Sequence, residues 1–270
     1  MDEANKGAQS GVGIVALITT YNEEAHIREA IESVLWADEI RVVDSYSTDK
    51  TVDYARQYPK VRVIQHAYEN AAAQKNWALE AIDAPWVLIL DADERITPEL
   101  RDEILGTVQS THTADAYWIG RKNYAWGKPL RFLWRTDKVV RLFRPQRCRY
   151  QQLSVHAEID TRGLRVGRLR HRMLHYTLWD WTRYLEKLRR YAYWGALDRY
   201  RRGKRSTLLS ICLKPLARLI KHLLIEGGVL DGKRGVILSL TMAWTVFMRS
   251  VFLYEMHLRA KESFRSSKST

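Results

Sequence analysis

The chain has 270 residues, 46% of them hydrophobic, which is enough for one large domain or two modest ones and argues against general disorder. Its net charge of +13 is uneven, because residues 1–178 carry a net charge of +1 and residues 179–270 carry +12. The two cysteines, Cys148 and Cys212, have no metal or redox spacing, which indicates a reducing compartment.

The N-terminal part alternates short apolar runs with helical stretches, which predicts a parallel sheet flanked by helices. Residues 1–11 are polar and are predicted to be a disordered tail. They contain no apolar stretch of the kind that a secretory signal needs, so a cytosolic protein is expected. Predicted strands cover residues 12–18, 39–44, 61–65 and 86–90, and predicted helices cover residues 25–35, 51–58 and 71–83.

Residues 116–178 are rich in Trp, Tyr and Arg and have little helical period, so short strands and loops are predicted there. From residue 179 the chain is predicted to be helical. The sequence therefore divides into an α/β half at 12–115, a second half at 116–178, a basic helical extension at 179–262 and a tail at 263–270.

The basic extension contains an amphipathic pattern typical of helices that lie in a lipid interface. Pro215 is expected to start or kink this helix. A second apolar run, residues 236–248, is shorter than the roughly 20 residues that span a bilayer, so a peripheral membrane protein without a spanning helix is predicted. The alternative is that the apolar sides of these helices pack on the rest of the chain or on a second subunit. The apolar side consists of Leu209, Leu213, Leu216, Ile220 and Leu224, and the basic side of Lys214, Arg218 and Lys221.

Two carboxylates follow the predicted strand at 86–90, namely Asp91 and Asp93. Ligands of open α/β sheets gather beyond the carboxyl ends of the strands. Carboxylate oxygens suit Mg²⁺ or Mn²⁺ that bridges phosphates. The sequence therefore predicts a divalent-cation site here, with solvated turn carboxylates as the alternative.

Three motifs at predicted strand ends resemble those of glycosyltransferase family 2, which has the GT-A fold. They are residues 19–24 (TTYNEE), 42–51 (VVDSYSTDKT) and 91–94 (DADE). Within that family the chain is similar to the bacterial glucosyltransferases of the lipopolysaccharide core. The stretches that carry this likeness are residues 36–40, 74–79, 90–95, 141–144, 175–176 and 227–232.

The resemblance implies a mixed, mostly parallel sheet whose first half binds a nucleotide sugar and whose second half binds the acceptor. It implies inverting transfer of a hexose, most plausibly glucose, from a UDP-sugar to a membrane glycolipid such as the lipopolysaccharide inner core. The enzyme would then work at the cytoplasmic face of the inner membrane, on an anionic lipid surface. The residues expected to bind the nucleotide sugar are Thr19, Tyr21, Asn22, Glu23, Asp44, Lys75, Asn76, Asp91 and Ala92.

The resemblance also implies roles around the diphosphate. Asp93 is expected to contact the cation directly, and Asp91 to contact the ribose or the cation through water. His175 is expected to reach the cation or the pyrophosphate, although a lone histidine is equally often structural. Two further alternatives are a turn cap for Asp44 and a solvated side chain for Lys75. The residues expected to hold the acceptor or a phosphate are Arg141, Arg144 and His156.

The general base is ambiguous. Relatives carry Val-His-Glu where this chain has Val-His-Ala-Glu at 155–158, so an alanine stands at the expected carboxylate. A local bulge could return Glu158 to the cleft, because one residue of shift turns a strand side chain to the other face. Asp137 is the second candidate and His156 the third.

Other functions stay open. A polyprenyl-linked or capsule sugar precursor is a close alternative acceptor. A non-catalytic relative that binds nucleotide sugars is suggested by Ala157 alone. Nucleic-acid binding through the basic end is not expected, because no recognition motif is present. The sequence does not identify the donor hexose, the linkage, the choice between Mg²⁺ and Mn²⁺, or the oligomeric state.

Overall fold

The computed structural model describes residues 13–151 and 158–266, with side chains as far as residue 261. These residues form two compact units. The first holds residues 13–120, 138–151 and 158–174, and the second holds residues 121–137 and 175–266. The tail expected at 1–11 lies outside the described residues.

The first unit is built on four parallel strands, as predicted. Their order is β3-β2-β1-β4, and β1 is paired on both sides by parallel neighbours. Residues 14–18 and 86–90 are all buried, which explains their continuous apolar sequences. The strands are β1 (Ile14–Thr20), β2 (Glu39–Asp44), β3 (Val61–Gln65) and β4 (Trp86–Asp91), and the connecting helices are α1 (Ile27–Glu32), α2 (Thr51–Ala55) and α3 (Ala71–Glu80).

The sheet then continues with antiparallel strands, which makes it mixed. The order after β4 is β8-β6-β9-β5, and β8 is antiparallel to both β4 and β6. The helix α4 has a Thr97 cap, whose hydroxyl accepts a hydrogen bond from the Leu100 amide at 3.3 Å. These elements are β5 (Glu94–Arg95), α4 (Pro98–Gln109), β6 (Ala116–Ala125), β7 (Lys128–Pro129), β8 (Lys138–Phe143) and β9 (Val166–Leu178).

The expectation of only short strands in residues 116–178 was wrong. The strand β6 has 10 residues and β9 has 13. In β9 the buried Leu169 and Met173 share the strand with exposed arginines. These arginines interrupt the apolar pattern by which a strand is recognised in the sequence. A strand can nevertheless carry them, because its side chains alternate between two faces and only one face needs to be apolar.

The second unit contains three helices, which are α5 (Trp181–Arg201), α6 (Leu208–Ile220) and α7 (Gly232–Ser266). A π-helical turn (Lys221–Ile225) and a 3-10 turn (Gly228–Asp231) join α6 to α7. Thr207 and Ser210 form a capping box at the start of α6. Pro215 therefore lies inside α6 and does not start it. The helix α7 packs against both α5 and α6.

The expected 13-residue apolar helix at 236–248 was also wrong, because it is part of the 35-residue α7. In the described part of the chain one helical segment, Gly228–Lys261, is long and apolar enough to cross a membrane by length and composition. Helices of protein cores pass the same test, and 39% of its most apolar window is buried within the protein.

Candidate active site

Three parallel strands end side by side at the edge where the motifs lie. In the strand register Thr19 of β1 is opposite Asp91 of β4, and Thr20 is opposite Asp44 of β2. The Thr19 hydroxyl donates a hydrogen bond to Asp91 Oδ1 at 3.2 Å. The sequence motifs are therefore brought together at one sheet edge, where ligands of such sheets bind.

Asp91 is the centre of a charged network. Lys75 Nζ lies 2.8 Å from Asp91 Oδ1, and the Arg141 guanidinium donates to Asp91 Oδ2. Arg141 also pairs with the fully buried Glu94 at 2.7 Å. The two cations are 6% and 4% exposed, so the alternative of a solvated Lys75 is excluded. Two buried cations and two carboxylates balance one another in charge.

The network fixes the charge of Asp91. Burial alone would raise the pKa of Asp91, but Arg141 and Lys75 outweigh that effect and hold this pKa well below its usual value. Asp91 is therefore ionised throughout the physiological pH range. Arg141 is held by carboxylates in this way, and its role toward the acceptor or a phosphate stays a prediction.

Asn76 has a positioning role that the sequence did not indicate. Its side-chain amide donates to the Tyr150 carbonyl at 3.0 Å and accepts from the Tyr150 amide at 2.8 Å. Tyr150 lies against the charged network, and burial raises the pKa of its hydroxyl. Tyr150 and Glu94 were not among the predicted site residues. Glu94 stands inside a recognised motif, whereas no pattern singles out Tyr150.

The loops that follow β1 and β2 are bonded to each other. Asn22 Oδ1 accepts from the Thr48 amide at 2.7 Å, and the Asn22 amide donates to Ser47 Oγ at 2.8 Å. The Glu23 amide donates to Thr51 Oγ1 at 2.8 Å. Asn22 has a φ of 54°, a left-handed conformation that asparagine tolerates. Asn22 and Glu23 thus shape the loop, while Tyr21 is half exposed beside it.

Asp44 and Ala92 are both buried. The Asp44 carboxylate accepts hydrogen bonds from the Ser47 amide at 2.9 Å, from the Ser47 hydroxyl, and from Gln65 Nε2 at 3.0 Å. This is the turn cap that was the alternative role of Asp44, and its contact with the nucleotide sugar stays a prediction. The Ala92 carbonyl accepts from the Arg95 guanidinium at 2.7 Å, which holds the turn after β4.

Arg144 contacts protein groups. Its guanidinium lies 4.4 Å from the centre of the Trp86 ring and donates to Thr113 Oγ1 at 2.9 Å. Both contacts anchor the end of β8 to its surroundings. A role for Arg144 toward the acceptor or a phosphate stays a prediction.

The carboxylates fit a cation that arrives with its substrate. Among the described residues no group of three or more His, Cys, Asp and Glu side chains could hold a metal ion by itself. Both Asp91 oxygens already face cations. Of the other two carboxylates of the motif, Glu94 pairs with Arg141 and Asp93 remains as the candidate ligand. Mg²⁺ commonly uses one or two carboxylates together with phosphate oxygens. The donor set therefore fits a diphosphate-bound cation held by Asp93.

The second unit contains a separate network around Asp137. Arg121 donates to both Asp137 oxygens, at 2.8 Å from Nε and 2.9 Å from Nη2, and Asn123 donates at 3.0 Å. Burial would raise the pKa of Asp137, but Arg121 and Asn123 hold this pKa below its usual value. Asn123 Oδ1 also lies 2.6 Å from Nδ1 of the buried His175. These contacts give His175 a structural partner.

Glu158 is the remaining carboxylate proposed as the base. It is exposed, and its carbonyl accepts a hydrogen bond from the Gln151 amide at 2.9 Å. His156 and Ala157 lie outside the described residues, so the proposed bulge before Glu158 stays a prediction.

Comparisons with known proteins identify the family of this chain. The family model of glycosyl transferase family 2 matches residues 15–170, more than half of the chain. The chain belongs to glycosyltransferase family 2. A lipopolysaccharide core biosynthesis glycosyltransferase, LpsC of Rhizobium meliloti, is 28% identical over 90% of this chain and 92% of its own length. An uncharacterised glycosyltransferase of Rickettsia felis is also 28% identical, over 95% of each chain.

Solved structures show the same fold. Staphylococcus aureus TarS residues 1–349, in complex with UDP-GlcNAc, match with a TM-score of 0.51 and 16% identity over 92% of each chain. The mannosyltransferase PcManGT of Pyrobaculum calidifontis, in complex with GDP-Man and Mn²⁺, matches with a TM-score of 0.53 and 16% identity over 89% of this chain and 86% of its own. The predicted GT-A fold and glycosyltransferase class are confirmed.

Proposed function

We propose that this family 2 glycosyltransferase transfers a hexose, glucose by preference, from a UDP-sugar to a membrane glycolipid with inversion at the anomeric carbon. A lipopolysaccharide core sugar is the proposed acceptor, because LpsC carries that function in its name and resembles this chain over most of its length. The part of the proposal that concerns the UDP-sugar donor rests on the charged network of Lys75, Asp91 and Arg141 beside Asp93.

That network suits a nucleoside diphosphate for electrostatic reasons. Lys75 and Arg141 fix Asp91 in one orientation, and the ionised Asp91 is then available to a ribose hydroxyl or a water molecule. The first loop, with Tyr21 and Asn22, lies at the end of the neighbouring strand β1. UDP is the proposed nucleotide, as in the ligand of the TarS complex, and Mg²⁺ or Mn²⁺ the proposed cation, as in the Mn²⁺ of the PcManGT complex.

The cation would be held by Asp93 and would supply Lewis-acid assistance to the departing diphosphate. The protein itself must remove one proton from the acceptor hydroxyl as that oxygen attacks the anomeric carbon. The bond from the anomeric carbon to the diphosphate oxygen then breaks, and the diphosphate leaves with the electron pair. We assign the removal of this proton to the carboxylate of Glu158.

Glu158 is preferred to Asp137 because of their surroundings. Asp137 is paired at both oxygens with Arg121 and Asn123, and its lowered pKa makes it a weak base. Glu158 is exposed, so that a substrate hydroxyl can reach it. Asp137 then acts as a positioning residue that holds β6 and the loop ahead of β8.

Attachment to the cytoplasmic face of the membrane is the third part of the proposal. The apolar side of α6 is open to solvent, with Leu209 and Leu213 exposed by 61% and 52%. Lys214 and Lys221 are exposed beside it. An apolar stripe flanked by cations suits a bilayer with anionic lipids.

The experiment is UDP release from a panel of UDP-sugars with Mg²⁺ or Mn²⁺, comparing the wild type with Asp93→Ala. Release from one sugar that is lost in the variant supports the proposal and names the donor. Calorimetry with UDP follows if no sugar is turned over. Metal-dependent binding then indicates a missing acceptor or a binding-only relative, whereas no binding contradicts the nucleotide site.

A further inference from the structure

The second unit contains a pocket of about 300 Å³. One wall is the loop before Asp137, and the other is formed by the turns between α6 and α7. Its volume is at the lower end of the range of small-ligand pockets, roughly 300–1,000 Å³. The residues that line the pocket are Phe132, Trp134, Arg135, Thr136, Leu224, Ile225, Glu226, Gly227 and Leu230.

Asp231 fixes the loop wall. Its carboxylate accepts hydrogen bonds from three successive amides, at 2.7 Å from Arg131, 3.1 Å from Phe132 and 2.8 Å from Leu133. Hydrogen bonds of ionised groups are about twice as strong as neutral ones. The carboxylate therefore holds a loop that is about a hundred residues away in sequence, and Trp134 follows directly after the bonded segment.

Glycine sets the distance between the walls. Gly227 has a φ of +72°, and a Cβ there would meet the Cβ of Phe132 at 3.0 Å. The preceding turn is π-helical, a conformation that is frequent at functional sites. Both walls are thus set by specific backbone geometry, which lowers the entropic cost of binding a ligand.

The pocket is mainly aliphatic on one wall, where the Glu226 carboxylate lies 2.8 Å from His222 Nδ1, and polar on the other. Leu224, Ile225 and Leu230 are exposed by 62%, 78% and 65%, although they are large aliphatic side chains. Arg135 and Thr136 provide a cation and a hydroxyl on the opposite wall. The aliphatic part adjoins the exposed apolar side of α6, so the pocket opens from a surface that we propose faces lipid.

We propose that this pocket binds one amphiphile, namely the glycolipid acceptor at the junction between its sugar and its apolar chain. The chain lies against Leu224, Ile225 and Leu230, and the sugar lies against Trp134, Arg135 and Thr136. The Trp134 ring can cover the apolar face of a sugar, and Arg135 can bind a phosphate or hydroxyl oxygen. This inference rests on the proposed function, because it identifies where the acceptor of that reaction is held.

The test uses ¹⁹F NMR of the full-length protein labelled with 5-fluorotryptophan, with the Trp134 resonance assigned by Trp134→Phe. The probe is n-dodecyl β-D-maltoside below its micelle concentration, and maltose is the head-group control. We expect a saturable shift of the Trp134 resonance with the amphiphile and none with maltose. Leu224→Glu, inside the pocket, should weaken binding at least tenfold.

Leu213→Glu is the matched control, because Leu213 on α6 is 52% exposed but does not line the pocket. It should change the probe affinity less than twofold. Equal weakening by both variants, or the absence of a Trp134 shift, overturns the proposal and indicates an apolar surface that amphiphiles merely coat. Circular dichroism verifies that both variants are folded.

UDP release separates this inference from the proposed function. A protein that hydrolyses a UDP-sugar without a Trp134 shift is a transferase without this acceptor pocket. A protein that shows the saturable shift but neither binds UDP nor turns over any UDP-sugar keeps the pocket and contradicts the donor site.

Discussion

Lys75 and Asp91 form an ion pair of 2.8 Å at the end of β4, and Arg141 binds the other oxygen of the same carboxylate. Removing the Asp91 charge would leave two buried cations opposite Glu94 alone. Removing the charge of the neighbouring Asp93 would instead remove the proposed ligand of the cation. Asp91 and Asp93 are therefore predicted to have separable roles.

We expect Asp91→Asn to lower the free energy of unfolding by about 2 kcal/mol or more. Breaking a buried pair costs about 3–5 kcal/mol, and solvent screening reduces this cost because 37% of the Asp91 side chain is exposed. Asp93→Asn should abolish cation-dependent UDP binding. Urea unfolding measures the first effect and calorimetry the second. Unchanged stability of Asp91→Asn, or cation-dependent UDP binding by Asp93→Asn, would contradict the assignment.

Asp137 makes the stability of the second unit pH-dependent. Its pKa is lowered in the folded state, so the stabilisation is present above the unfolded pKa of about 3.9 and is lost as the pH falls through the folded value. We expect Asp137→Asn to lower the melting temperature most near neutral pH. The difference from the wild type should shrink below about pH 4, where the unfolded chain binds the proton while the folded chain still keeps Asp137 ionised.

The control for this prediction is Asp160→Asn. Asp160 pairs with Arg162, but Arg162 is 86% exposed, and such surface pairs contribute little. At every pH its melting temperature should differ from that of the wild type by much less than the Asp137→Asn variant does near neutral pH. If the difference in melting temperature between Asp137→Asn and the wild type does not change with pH, the loss of stability comes from packing rather than from charge.

The fold of the first unit could be predicted because each buried strand is a local apolar run that ends in polar residues. The position of Asp91 at a strand end follows from residues 87–91 alone. Its partners could not be predicted in this way. Lys75 and Arg141 are 16 and 50 residues away, and only the folded sheet brings them to the same carboxylate.

The helix ends in the C-terminal extension could not be predicted from hydropathy alone, because the end of an apolar run is not the end of a helix. Arg249 ends the apolar run at 236–248, yet α7 continues through it, since arginine is a good helix former. The Arg249 side chain lies against α5, because a Cβ on Gly195 would meet its Cδ at 3.0 Å, and burial lowers the pKa of Arg249 to about 10. Asp231 was part of a recognised motif, but its hydrogen bonds to residues 131–133 depend on tertiary structure.

Glu158→Gln is expected to lower kcat for glycosyl transfer by roughly 10²–10⁴, the usual contribution of a general base. Affinity for UDP should stay the same, because the amide keeps the size of the side chain. Transfer in Asp137→Asn should decrease less at temperatures where this variant is folded. Full turnover in Glu158→Gln would remove Glu158 as the base, and full turnover in both variants would remove both candidates.

Membrane attachment is the last prediction, and it depends on the cations of α6 and the turn that follows. Replacing Lys214, Arg218 and Lys221 with Gln should weaken binding to vesicles with anionic lipid by roughly a hundredfold, at about 1 kcal/mol per cation. In the matched control variant, Gln replaces Arg56, Lys60 and Arg62, which are three exposed cations of the first unit. This variant should bind the vesicles as strongly as the wild type does. Co-sedimentation at increasing salt measures both.

The same assay distinguishes a peripheral protein from one anchored by α7. Electrostatic attachment weakens as salt screens the lipid charge, whereas a helix that crosses the bilayer resists both salt and alkaline carbonate. We expect release by salt, because α7 packs against α5 and α6. Retention after carbonate would instead assign the segment Gly228–Lys261 to the membrane, and the three-cation variant would then bind as strongly as the wild type.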